Sequence, residues 1–227
     1  MELYLDTANI KEIEHAASLG IISGVTTNPS LLAKEDPNTD VRKRLLEIHK
    51  MVGGHTSVEV ISTDTEGMLR EAYEILEWFP HATIKIPMIE AGMAAVKRLA
   101  KENIPTNVTL MFNANQALIA HRAGASYVSV FIGRLDDASN EGMQVIRDVR
   151  EIWEKHGLQS KIIAASIRHT LHLLDSAKAG AHIGTVPYSV LMQAMKHPLT
   201  DIGLNKFIGD YEKMQREKAK LANGVTV

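Results

Sequence analysis

Thr83-Ile84-Lys85-Ile86-Pro87 reads as a short strand, because its β-branched residues suit a pleated, buried surface. Side chains alternate along a strand, so Ile84 and Ile86 share one face and Lys85 takes the other. A lysine inside an apolar strand either snorkels to water or has work to do. If the sheet is closed and covered by helices there is no free edge, and Lys85 points into the barrel mouth. Desolvation there favours the neutral amine, the form that attacks a carbonyl carbon.

The neighbours of this strand alternate regularly. Before it, Leu3-Tyr4-Leu5-Asp6 reads as a strand and Ala8 to Leu19 as a helix opened by Asp6-Thr7. Ile21 to Thr27 is a strand, Thr39 to Val52 a helix, Ser57 to Ile61 a strand, and Thr63 or Asp64 caps a helix running to Trp78. After it come a helix over about Ile89 to Lys101, a strand Thr106 to Met111, a helix Asn113 to Ala123 and a strand Tyr127 to Ile132. A helix from Asp137 towards Lys155, a strand Lys161 to Ala165, a helix His169 to Ala179, a strand His182 to Val186 and a helix near Tyr188 to Met195 complete the series.

Eight strands, each followed by a helix, predict a parallel sheet. The 227 residues suit a small (β/α)8 TIM barrel forming one domain over 1–227, with 198–227 as a C-terminal helical arm. An open, doubly wound sheet is the alternative. The barrel is preferred because polar residues recur at or near the C-terminal ends of the apolar strands: Asp6, Thr26, Asn28, Glu59, Lys85, Asn107, Thr109, Ser129 and Ser166. In a barrel these converge on one mouth, where such folds keep their chemistry. Beyond Pro198, Ile202, Leu204, Phe207, Ile208, Tyr211 and Met214 recur at roughly helical spacing. They either cover their own barrel or pack on a neighbouring subunit.

Composition narrows the classes. Net charge is −2, which gives no field attracting nucleic acid or an anionic membrane. There is no cysteine, hence no disulfide, thiolate nucleophile or cysteine metal site. No apolar run is long enough to span a bilayer, and the N-terminus lacks the features of a signal peptide, so a cytoplasmic protein is expected. His169 and His172 stand at a spacing that can bind metal, but no third ligand follows at a motif spacing. They read as a partly exposed helix pair, and no metal or other cofactor is expected.

The stretch Gly24-Val25-Thr26-Thr27-Asn28-Pro29-Ser30-Leu31-Leu32 is the most distinctive. It closely resembles the first signature of the transaldolase family, and Ile84 to Pro87 is similar to that family's active-site lysine strand. Asp6-Thr7, Gly133 to Asp137, and Ala165-Ser166 with Arg168 resemble further family segments, in order and at fitting spacing. The resemblance runs to about residue 210. It implies the barrel fold and a class I aldol mechanism without a metal, in which Lys85 forms a Schiff base with a ketose C2. By the same resemblance Asp6 accepts the C4 hydroxyl proton, and Glu59 and Thr109 work through a water during imine formation and release. Thr26, Asn28, Asn107, Ser129 and Phe131 would hold the dihydroxyacetone unit. Arg134, Ser166 and Arg168 would hold the phosphate, for which guanidinium forks are suited.

The implied activity is transfer of a dihydroxyacetone unit from sedoheptulose 7-phosphate or fructose 6-phosphate to glyceraldehyde 3-phosphate or erythrose 4-phosphate. The compact length resembles the short branch, which also holds the fructose-6-phosphate aldolases. In those aldolases Tyr occupies the position of Phe131 and Gln that of Glu59, so this chain looks more like a transaldolase. A non-catalytic sugar-phosphate-binding barrel is the remaining alternative, though it would have no reason to keep a lysine and two carboxylates inside. The short branch also implies a homo-oligomer, a pentamer or decamer. Two positions depart from the family pattern: Ile89 stands where Thr or Ser is usual, and Val130 where proline is common.

Overall fold

In a computed structural model, which describes residues 1–222, eight parallel strands close into a barrel in sequence order. The strands are β1 (Glu2–Asp6), β2 (Gly24–Thr26), β3 (His55–Glu59), β4 (Thr83–Pro87), β5 (Thr106–Met111), β6 (Tyr127–Phe131), β7 (Lys161–Ala165) and β8 (Ile183–Val186). The helices are α1 (Ile10–Ser18), α2 (Pro29–Leu32), α3 (Val41–Val52), α4 (Thr65–Trp78), α5 (Glu90–Lys101), α6 (Ala114–Ala123), α7 (Ile132–Asp137), α8 (Gly142–His156), α9 (Thr170–Lys178), α10 (Tyr188–Ala194) and α11 (Pro198–Ala222). The (β/α)8 architecture expected from the alternation is therefore present, with two short extra helices, α2 and α7.

The chain divides into two compact units, Met1–Leu191 and Met192–Val227. The first holds the whole barrel. The second contains α11, on which Leu199, Ile202, Phe207, Ile208 and Tyr211 are exposed. Of the expected arm, residues 223–227 lie outside the described residues. No helix among the described residues is long and apolar enough to cross a membrane.

Local chemistry sets the element ends. Asn9, not Asp6 or Thr7, caps α1: its side chain accepts the backbone N–H groups of Lys11 and Glu12. Asp6 is thereby left to β1. Asp64 caps α4 through Gly67 N–H, and Gly53, Gly124 and Gly157 end α3, α6 and α8 in the left-handed conformation. Ile89 precedes α5 without a side-chain cap, as its apolar side chain dictates.

Strand alternation builds two layers. Val25, Ile84, Ile86, Val108, Val128, Val130 and Ile162 are fully buried. They lie on the strand face opposite the polar set, turned to the helices. Inside the barrel, Tyr4, Ile163, Ala165 and Ile183 form a buried cluster with Tyr127 and Phe131 packed against it. A Cβ at Gly24 would come within 2.8 Å of the Tyr4 ring, so glycine there makes room for that aromatic side chain. Two residues beyond Tyr4, Tyr127 and Ile183, on the same strand faces, stand Asp6, Ser129 and Thr185. The apolar floor thus carries a polar layer directly above it.

Candidate active site

Lys85 is only 5% exposed although it lies in the middle of β4. Register places it beside Glu59 of β3 and Asn107 of β5. Its Nζ lies 3.0 Å from Glu59 Oε2 and donates to the Thr27 carbonyl oxygen at 3.1 Å. Lys85 therefore neither snorkels to a sheet edge nor stands unpaired. A proton acceptor lies directly against the amine.

Asn107 is fully buried and held from both sides. Its Nδ2 donates to Ser57 Oγ at 3.1 Å, and its Oδ1 accepts the Ser129 hydroxyl at 2.8 Å. Ser57 Oγ lies 2.6 Å from His55 Nε2. The His55 ring stacks on Tyr4 and meets Tyr127 edge-on, and burial pushes its pKa down to about 4. A hydrogen-bonded row thus leads from the apolar floor up to Ser129 at the mouth. Thr109, two residues beyond Asn107, has a buried hydroxyl with no protein partner among the described residues.

On the opposite wall Asp6 Oδ1 accepts the Thr26 hydroxyl at 2.7 Å. Burial raises the Asp6 pKa above the ordinary aspartate value, while the Thr26 hydrogen bond and the nearby Lys85, Arg168 and Lys34 charges oppose that rise. Asn28 caps α2 by accepting from Leu31 N–H, which leaves its amide NH2 for the cavity that it lines. Pro29 at the first helical position starts this four-residue helix.

The three residues expected to hold phosphate come from two segments, α7 and the turn after β7. Gly133 brings them together: a Cβ there would lie 2.0 Å from the Ser166 carbonyl oxygen and 2.8 Å from Arg168 Cγ. Ser166 has φ of 61°, a left-handed conformation uncommon for serine. Arg134 stands over the Phe131 ring, its guanidinium carbon 5.0 Å from the centroid. Arg168 Nη2 lies 2.9 Å from Asp137 Oδ2, and both arginines are exposed.

A cavity of about 300 Å3 opens among these groups. Its lining includes Asp6, Thr26, Asn28, Lys85, Asn107, Ser129, Phe131, Arg134, Ser166 and Arg168. Of the nominated residues, Glu59 and Thr109 are not part of the lining; Glu59 meets it through Lys85, and Thr109 lies two residues beyond Asn107 on β5.

Several partners escaped the sequence reading. Lys34, Ser30 and Thr185 also line the cavity, and Ser57 supports it from below. Thr185 carries the same signal that singled out Thr26, a hydroxyl near the C-terminal end of a strand. The histidine pair also differs from expectation. His169 is the N-cap of α9, and His172 is buried rather than exposed, its Nε2 lying 2.6 Å from Asp136 Oδ2. His172 Nδ1 accepts the Arg168 backbone N–H at 3.2 Å, so the ring ties the phosphate-side turn to α7.

A barrel with a buried lysine–carboxylate pair at its mouth and a cationic rim has the form of a Schiff-base aldolase site. The sequence profile described as "Transaldolase/Fructose-6-phosphate aldolase" matches residues 3–225, and the chain belongs to that family. A probable transaldolase of Desulforudis audaxviator is 56% identical over 95% of this chain and 100% of its own length. One from Heliobacterium modesticaldum is 55% identical over 95% of this chain and 99% of its own length. Among solved structures, thiamine phosphate pyrophosphorylase from Pyrococcus furiosus superposes with a TM-score of 0.58 at 15% identity, covering 82% of this chain and 85% of its own, which shows the fold alone.

Proposed function

We propose that this chain is a transaldolase that moves a dihydroxyacetone unit from fructose 6-phosphate or sedoheptulose 7-phosphate to erythrose 4-phosphate or glyceraldehyde 3-phosphate. The observation that carries this reading is the Lys85 amine held 3.0 Å from Glu59 in a cavity lined by Asp6, Arg134 and Arg168.

In this reading Glu59 takes a proton from Lys85, and the freed amine attacks the ketose C2. The resulting carbinolamine loses water, with the proton returned through Glu59 and a water held by Thr109, whose buried hydroxyl has no protein partner among the described residues. The protonated imine withdraws electrons as the C3–C4 bond breaks, and Asp6 takes the C4 hydroxyl proton. The first aldose phosphate leaves, and a dihydroxyacetone enamine stays on Lys85. Its carbon attacks the acceptor aldehyde, Asp6 returns the proton to the new hydroxyl, and hydrolysis frees Lys85. Asn28, Asn107 and Ser129 hold the dihydroxyacetone hydroxyls. Arg134, Ser166 and Arg168 hold the phosphate common to donor and acceptor. No metal or cofactor takes part.

The same proposal includes a cytoplasmic homo-oligomer of five or ten subunits; the exposed apolar side chains of α11 support a contact between subunits. Incubation with fructose 6-phosphate, with and without erythrose 4-phosphate, tests the activity. Sedoheptulose 7-phosphate appearing only with the acceptor supports transfer. Free dihydroxyacetone as the main product in both cases makes the chain a fructose-6-phosphate aldolase, and no turnover in either makes it a binding barrel.

A further inference from the structure

Thr185 lies on β8, in register with Tyr4 of β1, and is 3% exposed. Its hydroxyl oxygen is 2.6 Å from Thr26 Oγ1, and Thr26 Oγ1 is 2.7 Å from Asp6 Oδ1. An ionised carboxylate only accepts hydrogen bonds, and Thr26 has a single hydroxyl proton. Thr26 therefore donates to Asp6, and the short contact behind it is filled by the Thr185 proton. The order of donors is Thr185 to Thr26 to Asp6. Among the described residues no hydrogen bond reaches Asp6 Oδ2, which leaves that oxygen for the cavity.

We propose that Thr185 is a positioning residue for the aldol step: by donating to Thr26 it anchors Asp6 Oδ1 and keeps Oδ2 ionised and aimed at the C4 hydroxyl proton. The inference rests on Asp6 being the base of the reaction proposed above.

A hydroxyl that accepts a hydrogen bond becomes a better donor itself. Thr185 thus strengthens the one side-chain hydrogen bond that favours the charged form of Asp6 against burial. Among the described residues the charges acting on Asp6 are the cations Lys85 on β4, Arg168 after β7 and Lys34 after α2, with the Glu59 carboxylate of β3 lying 3.0 Å from Lys85 Nζ. All are left in place by a substitution at Thr185. Thr185→Val keeps the side-chain shape and removes the donor. Thr185→Ser keeps the donor and removes a methyl group.

The test is the acid limb of the pH profile of kcat/KM, with fructose 6-phosphate and erythrose 4-phosphate, in wild type, Thr185→Val, Thr185→Ala and Thr185→Ser. This limb reports groups of the free enzyme, and changes in it between variants cancel the titration of the substrate phosphates. Thr185→Val and Thr185→Ala should move the limb to higher pH by about half a unit, the scale of part of one hydrogen bond. Their kcat should fall while the borohydride-trapped imine does not. Thr185→Ser should restore the wild-type limb. An unmoved limb in Thr185→Val and Thr185→Ala, or a serine variant that behaves as the valine one does, overturns the inference. Asp6→Asn separates the two claims. If it abolishes cleavage while the Thr185 variants keep the wild-type limb, only the Thr185 inference falls; if it still cleaves, the assignment of Asp6 falls and takes Thr185 with it.

Discussion

Lys85 Nζ and Glu59 Oε2 stand 3.0 Å apart because the barrel register sets the two residues side by side on β4 and β3. A buried ion pair is weak evidence for stability, since both charges lose water on folding. Its value here is chemical. The lysine sits at 6% side-chain exposure beside a carboxylate that keeps 16% and can pass protons outward.

Borohydride added during turnover of fructose 6-phosphate should leave one substrate-derived adduct, on Lys85. Lys85→Met should remain folded, because Glu59 can still be hydrated at the mouth, and should show no turnover. Glu59→Ala should slow imine formation by about a hundredfold, the low end of what a positioned proton acceptor contributes. Peptide mapping locates the adduct, and labelling of another lysine would refute the mechanism. Chelators should change nothing.

Arg134 and Arg168 reach the cavity from α7 and from the turn after β7, so each can be removed without touching Lys85. Replacing either with alanine should weaken phosphorylated substrates by about 1.5–3 kcal/mol, roughly a ten- to hundredfold rise in KM. Unphosphorylated analogues should lose much less. Equal losses for both substrate kinds would mark the arginines as structural.

The sequence made the barrel legible because strand and helix periods alternate without interruption. β4, β5 and β7 begin and end where proline, glycine and β-branched runs place them. The helices α2 and α7 were not legible, because four and six residues are too few to display a helical period. The cavity residues were legible through strand-end polarity and the family resemblance. What escaped depended on three-dimensional pairing. Thr185 carries the same strand-end hydroxyl as Thr26, but its tie to the Asp6 wall shows only once Thr26 is seen 2.6 Å away. His172 reads as half-exposed until α7, itself unforeseen, is seen to bring Asp136 Oδ2 to 2.6 Å from its Nε2.

His55 makes acid stability testable. In the unfolded chain its imidazole takes a proton near pH 6.5; in the folded protein burial delays this to about pH 4. Above pH 6.5 both states are neutral and the full stability is present. As pH falls towards 4 the unfolded chain alone binds the proton, and about 3 kcal/mol is lost. Urea unfolding should therefore show a stability drop between pH 7.5 and 5 that is smaller in His55→Leu. Parallel pH dependences in the two proteins would refute this.

The exposed apolar residues on α11 predict that the helix is covered in the native assembly. Deleting residues 201–227 should lower the mass measured by light scattering. A full-length chain that is monomeric at micromolar concentration would rule the assembly out.

Phe131 should decide between transfer and release. Both outcomes pass through a dihydroxyacetone enamine on Lys85, and they differ in what meets it next. Protonation and hydrolysis free dihydroxyacetone, whereas an enamine that waits for an aldehyde gives transfer. The Phe131 ring lines the cavity between Phe112, centroids 5.9 Å apart and edge-on, and the Arg134 guanidinium. It offers no hydroxyl to order a water or relay a proton. Phe131→Tyr adds a hydroxyl at the ring tip and should raise the ratio of released dihydroxyacetone to transferred product. A shift of about 1.4 kcal/mol between the two barriers, the scale of one hydrogen bond, changes that ratio about tenfold. Quantifying both products for wild type and Phe131→Tyr settles it. An unchanged ratio would mean that Phe131 does not guard the enamine, and that the dryness of the site is set elsewhere on its wall.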